Sequence, residues 1–196
     1  HLSTRRQRQM CIRDSAGTIS GAGGDGSSSG NGGDGGTAIY IASSNVTVTN
    51  TGTIRGGGGG GGKGADGTQG GCFNFGMIFC CSGPPGAGGA GGNGQGYDQS
   101  QSNGSAGGST SPGSQSHPAC YNFFPGGYNA STAGSSGGNG GTYGNAGGQG
   151  GGSGSAGGSA GKYVQLSGVS YTLSNSGTLQ GNACLLYTSD AADEWI

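Results

Sequence analysis

The sequence predicts a mostly irregular fold with minor β: a sandwich of packed polyglycine-II helices, bracketed by short β-strand or hairpin units, with no substantial α-helix. Three observations predict it. Glycine recurs every third residue through long tracts, a strand-like motif appears on both sides of those tracts, and the phenylalanines are gathered into two short inserts.

The ends of the chain are set aside first. Residues 5–15 read RRQRQMCIRDS and residues 184–194 read CLLYTSDAADE. These strings resemble the translation of one sequencing-library adapter and of its reverse complement. Two unrelated natural tails would not be complementary, so residues 1–15 and 184–196 are read as non-native and excluded from fold reasoning. The remainder divides into a partial first repeat with a glycine tract (16–35) and one glycine-rich domain (36–183).

The exclusion removes Arg5, Arg6, Arg8 and Arg13 together with Asp14, Asp190, Asp193 and Glu194. Arg55, Lys63 and Lys162 then face Asp25, Asp34, Asp66 and Asp98. So sparse a charge provides no electrostatic footprint for nucleic acid or an anionic membrane surface. No apolar run approaches the ~20 residues of a membrane span, so membrane insertion is not expected. The absence of a signal peptide says nothing, because the true start of the native segment is unknown.

All 55 glycines lie between residues 16 and 183. They make up about a third of that segment, against an average near 7%. Glycine loses more backbone entropy on ordering than any other residue, so composition alone reads as a disordered linker. The spacing argues otherwise. Glycine falls at 58, 61, 64, 67 and 70, at 83, 86, 89 and 92, and at 138, 141, 144, 147 and 150. A polyproline-II-type helix has three residues per turn, so glycine in register leaves a bare edge where another backbone approaches closely. Collagen exploits that edge with abundant proline, but this chain has five prolines. Its backbone keeps N–H groups that can donate to neighbouring helices. Each such bond contributes only ~1 kcal/mol net, so the bundle must be cooperative and pinned at its ends.

The pins are repeats. GTAIYIASSNVTVTNTGTIRG (36–56) is matched by GKYVQLSGVSYTLSNSGTLQG (161–181), and AGTISG from Ala16 is a truncated copy. Val46 and Val48 alternate with Thr47 and Thr49; Val169, Tyr171 and Leu173 alternate with Ser170, Thr172 and Ser174. Such alternation reads as half-buried strands. An Asn-x-Gly turn follows at 50–52 and at 175–177.

Two inserts interrupt the glycine: CFNFGMIFCC (72–81) and HPACYNFFPGGY (117–128). Phe73, Phe75, Phe79, Phe123 and Phe124 are the chain's five phenylalanines, and all lie here. Exposed aromatic patches commonly mark interaction sites. A small core where two loops meet is the competing reading, and both are expected to hold in part. Tyr97, Tyr121 and Tyr128 suit exposure better, since their hydroxyl tolerates water.

The opening stretch NTGTIRGGGGGGG (50–62), the tract GPPGAGGAGG, and the closing GKYV…GTLQG together resemble the glycine-rich adhesins at the tips of T-even-like phage long tail fibres. The resemblance spans about residues 36–181. It implies glycine helices stacked in a sandwich, with variable loops at one end contacting the host surface. It places the aromatic inserts where those loops would be, with Phe73, Phe75, Ile78, Phe79, Tyr97, Tyr121, Phe123, Phe124 and Tyr128 as receptor-binding residues. The implied partners are a bacterial outer-membrane protein or surface glycan and the tail-fibre shaft protein, and the implied location is the fibre tip of the virion. The family's separate fibre-attachment domain is not found between residues 16 and 183, and the cysteines are not a family feature.

Little catalytic chemistry is visible, and neither enzymatic activity nor a cofactor is expected. Residues 57–63 begin like a phosphate loop, but Gly64 stands where Ser or Thr would bind Mg²⁺ and no strand–helix context surrounds it. His117 could pair with a cysteine, yet nothing orients it. Cys72, Cys80, Cys81 and Cys120 admit three readings: two disulfides stapling the inserts, a Zn²⁺ site with His117, or free thiols. A bridge between adjacent Cys80 and Cys81 would be strained. The competing function is a structural or ice-binding glycine-helix protein, for which Thr47, Thr49, Thr51 and Thr53 would supply a threonine row.

Overall fold

The three copies of the short threonine-aliphatic motif stack on one another. In a computed structural model, describing residues 12–75, 78–82, 84–110 and 131–184, Thr18, Thr53 and Thr178 occupy equivalent positions on neighbouring parallel strands. Ile19, Ile54 and Leu179 are likewise in register, as are Ser20, Arg55 and Gln180.

The strands are β1 (Ile12–Ser15), β2 (Thr18–Ser20), β3 (Ile39–Ile41), β4 (Val46–Asn50), β5 (Thr53–Arg55), β6 (Cys72–Phe75), β7 (Ile78–Cys81), β8 (Lys162–Leu166), β9 (Tyr171–Asn175), β10 (Thr178–Gln180) and β11 (Asn182–Cys184). No α-helix occurs among the described residues. Apart from the β6–β7 pair, the strands form three three-stranded sheets, ordered β1-β4-β9, β2-β5-β10 and β3-β8-β11. Every ladder in these three sheets is parallel. The chain visits the sheets in rotation, which makes a short three-sided solenoid of three rungs.

This arrangement refines the expected strand or hairpin units. The strand–turn units are present, but β4 and β5 lie in different sheets, so the Asn-x-Gly turn is a corner and not a hairpin loop. The two repeats pair with each other instead of folding back on themselves. Ile12–Ser15 and Cys184, set aside above as adapter-derived, fall in β1 and β11. Ladder hydrogen bonds use backbone groups that any non-proline residue supplies.

The alternation read from the sequence points inward. Ile41, Val48, Ile54, Val164 and Leu166 form the buried core, one that draws on all three sheets, and Ile19, Val46, Tyr171, Leu173 and Leu179 pack against it. Asn50 is fully buried at a corner. Its Nδ2 donates to Asn175 Oδ1 at 2.7 Å, and its Oδ1 accepts from the Gly52 N–H at 3.2 Å.

At the third corner the rungs differ. In the last rung β10 reaches β11 through Gly181 alone, whose φ of 101° suits glycine. In the other two rungs the chain leaves the solenoid at this corner, once over 21–38 and once over 56–161. These excursions build the glycine body. Residues 56–67 run through its middle with six tracts around them. Gly57, Gly60 and Lys63 donate to Gly36, Gly33 and Gly30; Gly58, Gly61, Gly64 and Gly67 to Gln95, Gly92, Gly89 and Gly86; Gly59, Gly62 and Ala65 to Asn145, Gly148 and Gly151. On the accepting side, their carbonyls take bonds from 24–27, 135–144 and 155–161. Successive residues thus face different neighbours and every third residue faces the same one.

This surrounding explains the unbroken glycine run 56–62, all of it buried. A Cβ at Gly58 would meet the Gly141 carbonyl, one at Gly59 the Gly158 carbonyl, and one at Gly60 the Asp25 carbonyl. The backbone of the tract 99–108 bonds to 87–96 and 134–140, and there Ser, Gln and Asn replace much of the glycine. Arg55 joins the solenoid to the body: its guanidinium lies 3.5 Å from the Tyr143 ring centroid and its Nε donates to Ser20 Oγ at 2.8 Å. The Tyr143 hydroxyl donates to the Gly96 carbonyl at 2.9 Å.

Candidate functional site

The hydrogen-bond register gives the body two ends. Gly56, Gly144 and Gly161 lie beside the solenoid, where Gly56 donates to the Gln180 carbonyl at 2.9 Å and Gly144 to the Gly56 carbonyl at 2.9 Å. Residues 67–71, 82, 84–86, 108–110 and 131–132 lie at the other end. The described residues that flank the two aromatic inserts, 71 and 82 for the first and 110 and 131 for the second, are all at that end.

Short hydroxyl side chains tie the bases of the two inserts together. Thr68 N–H donates to Thr132 Oγ1 at 2.7 Å, and Thr132 N–H to the Thr68 carbonyl at 3.0 Å. Gly70 N–H donates to Ser131 Oγ at 2.9 Å, and Ser131 N–H to Ser82 Oγ at 2.9 Å. The two serine hydroxyls lie 3.1 Å apart. Gln69 Nε2 completes the base by donating to the Ser82 carbonyl at 3.3 Å. Ser82 is buried, so the bonds to its hydroxyl and carbonyl satisfy groups that water scarcely reaches, whereas the Thr68–Thr132 pair is exposed.

From this base the first insert rises as an antiparallel hairpin. Its register sets Cys72 opposite Cys81, Phe73 opposite Cys80, Asn74 opposite Phe79, and Phe75 opposite Ile78. Four of the expected receptor-binding residues are therefore carried on one hairpin. Cys72 is disulfide-bonded. Tyr121, Phe123, Phe124 and Tyr128, with Cys120 and His117, lie outside the described residues.

Tyr97 stands apart from this group. It is 74% exposed. Its N–H donates to the Gly21 carbonyl at 3.2 Å, which places it at the solenoid end of the body. Tyr40, on β3, is 61% exposed and belongs to that end too.

Lys63 has a local partner that accounts for it without a phosphate. Its Nζ donates to both carboxylate oxygens of Asp66, at 2.7 and 2.8 Å. Asp66 Oδ1 also accepts from the Gly88 N–H at 2.7 Å. That backbone bond first, and the Lys63 ammonium second, hold the Asp66 carboxyl below its ordinary value. Among the described residues, no group of three or more His, Cys, Asp or Glu is placed to hold a metal ion. No helix among them is long and apolar enough to cross a membrane. The threonine row breaks, since Thr47 and Thr49 lie on β4 and Thr53 on β5 of another sheet.

Sequence reasoning found the inserts but missed their base. Thr68, Ser82, Ser131 and Thr132 are small hydroxyl residues in a Gly/Ser-rich background, and only their position at an insert boundary sets them apart. Arg55 and Tyr143 are 88 positions apart and carry no shared pattern.

A family model described as phage tail fibre adhesin Gp38 matches residues 6–184. Among solved structures, the crystal structure of the gp37-gp38 adhesin tip complex of the bacteriophage S16 long tail fiber matches with 24% sequence identity and a TM-score of 0.49. That alignment covers 88% of this chain and 58% of the other, so the chain spans little more than half its length. No curated protein sequence matches the chain. On the family match, which takes in most of its length, the chain belongs to the phage tail fibre adhesin Gp38 family.

Proposed function

We propose that the protein is a receptor-binding adhesin at the tip of a phage tail fibre, and that it reads the bacterial surface with the two aromatic inserts. The observation that carries this reading is the shared base of the inserts, joined through Ser82 and Ser131 at the end of the body remote from the solenoid. Family membership supports the adhesive role.

In this reading the glycine tracts are polyglycine-II helices, and their three-residue hydrogen-bond step supports that geometry. The body is a rigid stalk. A rigid support lowers the ordering cost that flexible loops pay on binding. Apolar contacts from Phe73, Phe75, Ile78, Phe79, Tyr121, Phe123, Phe124 and Tyr128 supply affinity, against an outer-membrane protein or a surface glycan. Tyr97, at the opposite end, lies outside this face. The solenoid end faces the fibre shaft. The role is binding, without catalysis, exercised by the virion at the host surface.

The test is adsorption. Phe123→Ser/Phe124→Ser protein should fail to bind bacteria that the parent phage infects, while its hydrogen-exchange protection across 138–161 stays that of the unmodified protein. Full binding with both phenylalanines replaced would refute the assignment of that insert.

A further inference from the structure

The β6–β7 hairpin contains three cysteines in ten residues, and one, Cys72, is disulfide-bonded. The backbone register narrows its partner. Ser82 N–H donates to the Gly71 carbonyl at 3.3 Å, which makes Gly71 and Ser82 a hydrogen-bonded pair of the antiparallel ladder. Bonded and non-bonded pairs alternate along such a ladder. The next pair, Cys72 and Cys81, is therefore non-bonded. At non-bonded pairs the Cα atoms approach to about 4.5 Å, inside the roughly 4.4–6.8 Å that a disulfide spans.

The same phase follows from the tip. Phe75 and Ile78 close a two-residue connection, where the closing pair is normally hydrogen-bonded. Counting back along the register leaves Cys72 and Cys81 non-bonded again. Cys80 fits less well, since it stands opposite Phe73. Cys184 is in β11, at the solenoid end of the molecule.

We propose that Cys72 and Cys81 form a cross-strand disulfide that ties the neck of the aromatic hairpin, making it a covalently closed finger whose order depends on redox state. Isolated two-stranded hairpins are marginal in water, so a tie at the open end supplies what the short ladder lacks. Reduction is thiol–disulfide exchange: two molecules of a thiol such as glutathione become oxidised glutathione, and Cys72 and Cys81 each gain a hydrogen. Closure by oxidised glutathione is the reverse. The connectivity stands independently of the adhesin reading.

The experiment is disulfide mapping of the intact chain. The protein is alkylated without reduction and cleaved after aromatic residues, and the linked peptides are fragmented. A Cys72–Cys81 link is the expected result. A Cys72–Cys80 or Cys72–Cys120 link, or an alkylated Cys72, would overturn the proposal. Hydrogen exchange in a glutathione redox buffer tests the tie: exchange of amides 72–81 should rise toward that of an unstructured peptide on reduction, and Cys80→Ser should leave the oxidised pattern unchanged. Unaltered protection on reduction would overturn the tie. Neither measurement uses host cells, so failure here is distinct from failure of the receptor assignment.

Discussion

Ser131 donates its backbone N–H to the Ser82 hydroxyl at 2.9 Å, and the two side-chain oxygens lie 3.1 Å apart. This contact joins the return from the first insert to the return from the second. Ser131→Ala removes the oxygen that accepts from Gly70 and contacts Ser82, and the expected cost is about 1 kcal/mol in chemical denaturation. The larger effect should be local, as faster hydrogen exchange at residues 70–82. A variant exchanging like the unmodified protein there would show that the base does not hold the hairpin.

Glycine is required where another backbone takes the space of a side chain. At Gly60 an added Cβ meets the Asp25 carbonyl, whereas at Gly30 it meets nothing within 4 Å. Gly60→Ala should destabilise the protein by roughly 3 kcal/mol or more, since rigid backbone surrounds the site. Gly30→Ala should be neutral or stabilising by up to about 1 kcal/mol, because it restricts the unfolded chain. Comparable melting temperatures for the two variants would contradict the packed-tract account.

Much of this was legible in the sequence. The three-residue glycine register reappears as hydrogen bonding: Gly58, Gly61, Gly64 and Gly67 donate to one neighbour, and Gly138, Gly141 and Gly144 to another. The period reports a residue's own turn, however, and not which tract it will face. In the same way, alternation at Val46–Asn50 identifies a strand. Alternation does not distinguish a hairpin from a parallel stack, because Asn-x-Gly serves a tight turn and a solenoid corner equally. The shared base of the inserts was not legible, since Ser82 and Ser131 look like any other serines of the body.

The buried Asn50 is the corner residue on which two rungs depend. It donates to Asn175, and its side chain and carbonyl accept from Gly52, Ser176 and Gly177. Asn50→Leu keeps the branched outline of the side chain, with added bulk, but leaves the Gly52 N–H without its acceptor. The expected loss is about 2 kcal/mol, read from urea unfolding. Asn175→Ser should cost less, since Asn175 is exposed.

Asp66 gives the fold a modest acid dependence. Its carboxyl is held below its ordinary value by the Gly88 N–H and then by Lys63. A depressed carboxyl contributes stability above its unfolded value, and the contribution disappears as pH falls through the folded value. Melting temperature should therefore decline below about pH 4 through this residue, with no contribution to any change above pH 5. Asp66→Asn should flatten that part of the profile, and an unchanged acid limb would remove Asp66 from the account.

The most direct test of the central claim compares the two ends of the body in one binding measurement. Labelled protein is applied to bacteria that the parent phage infects, with variants Phe73→Ser/Phe75→Ser, Phe123→Ser/Phe124→Ser and Tyr97→Ser. The account predicts that both phenylalanine variants lose binding and that Tyr97→Ser retains it. Binding that survives both insert variants, or that disappears with Tyr97→Ser in a folded protein, would contradict it.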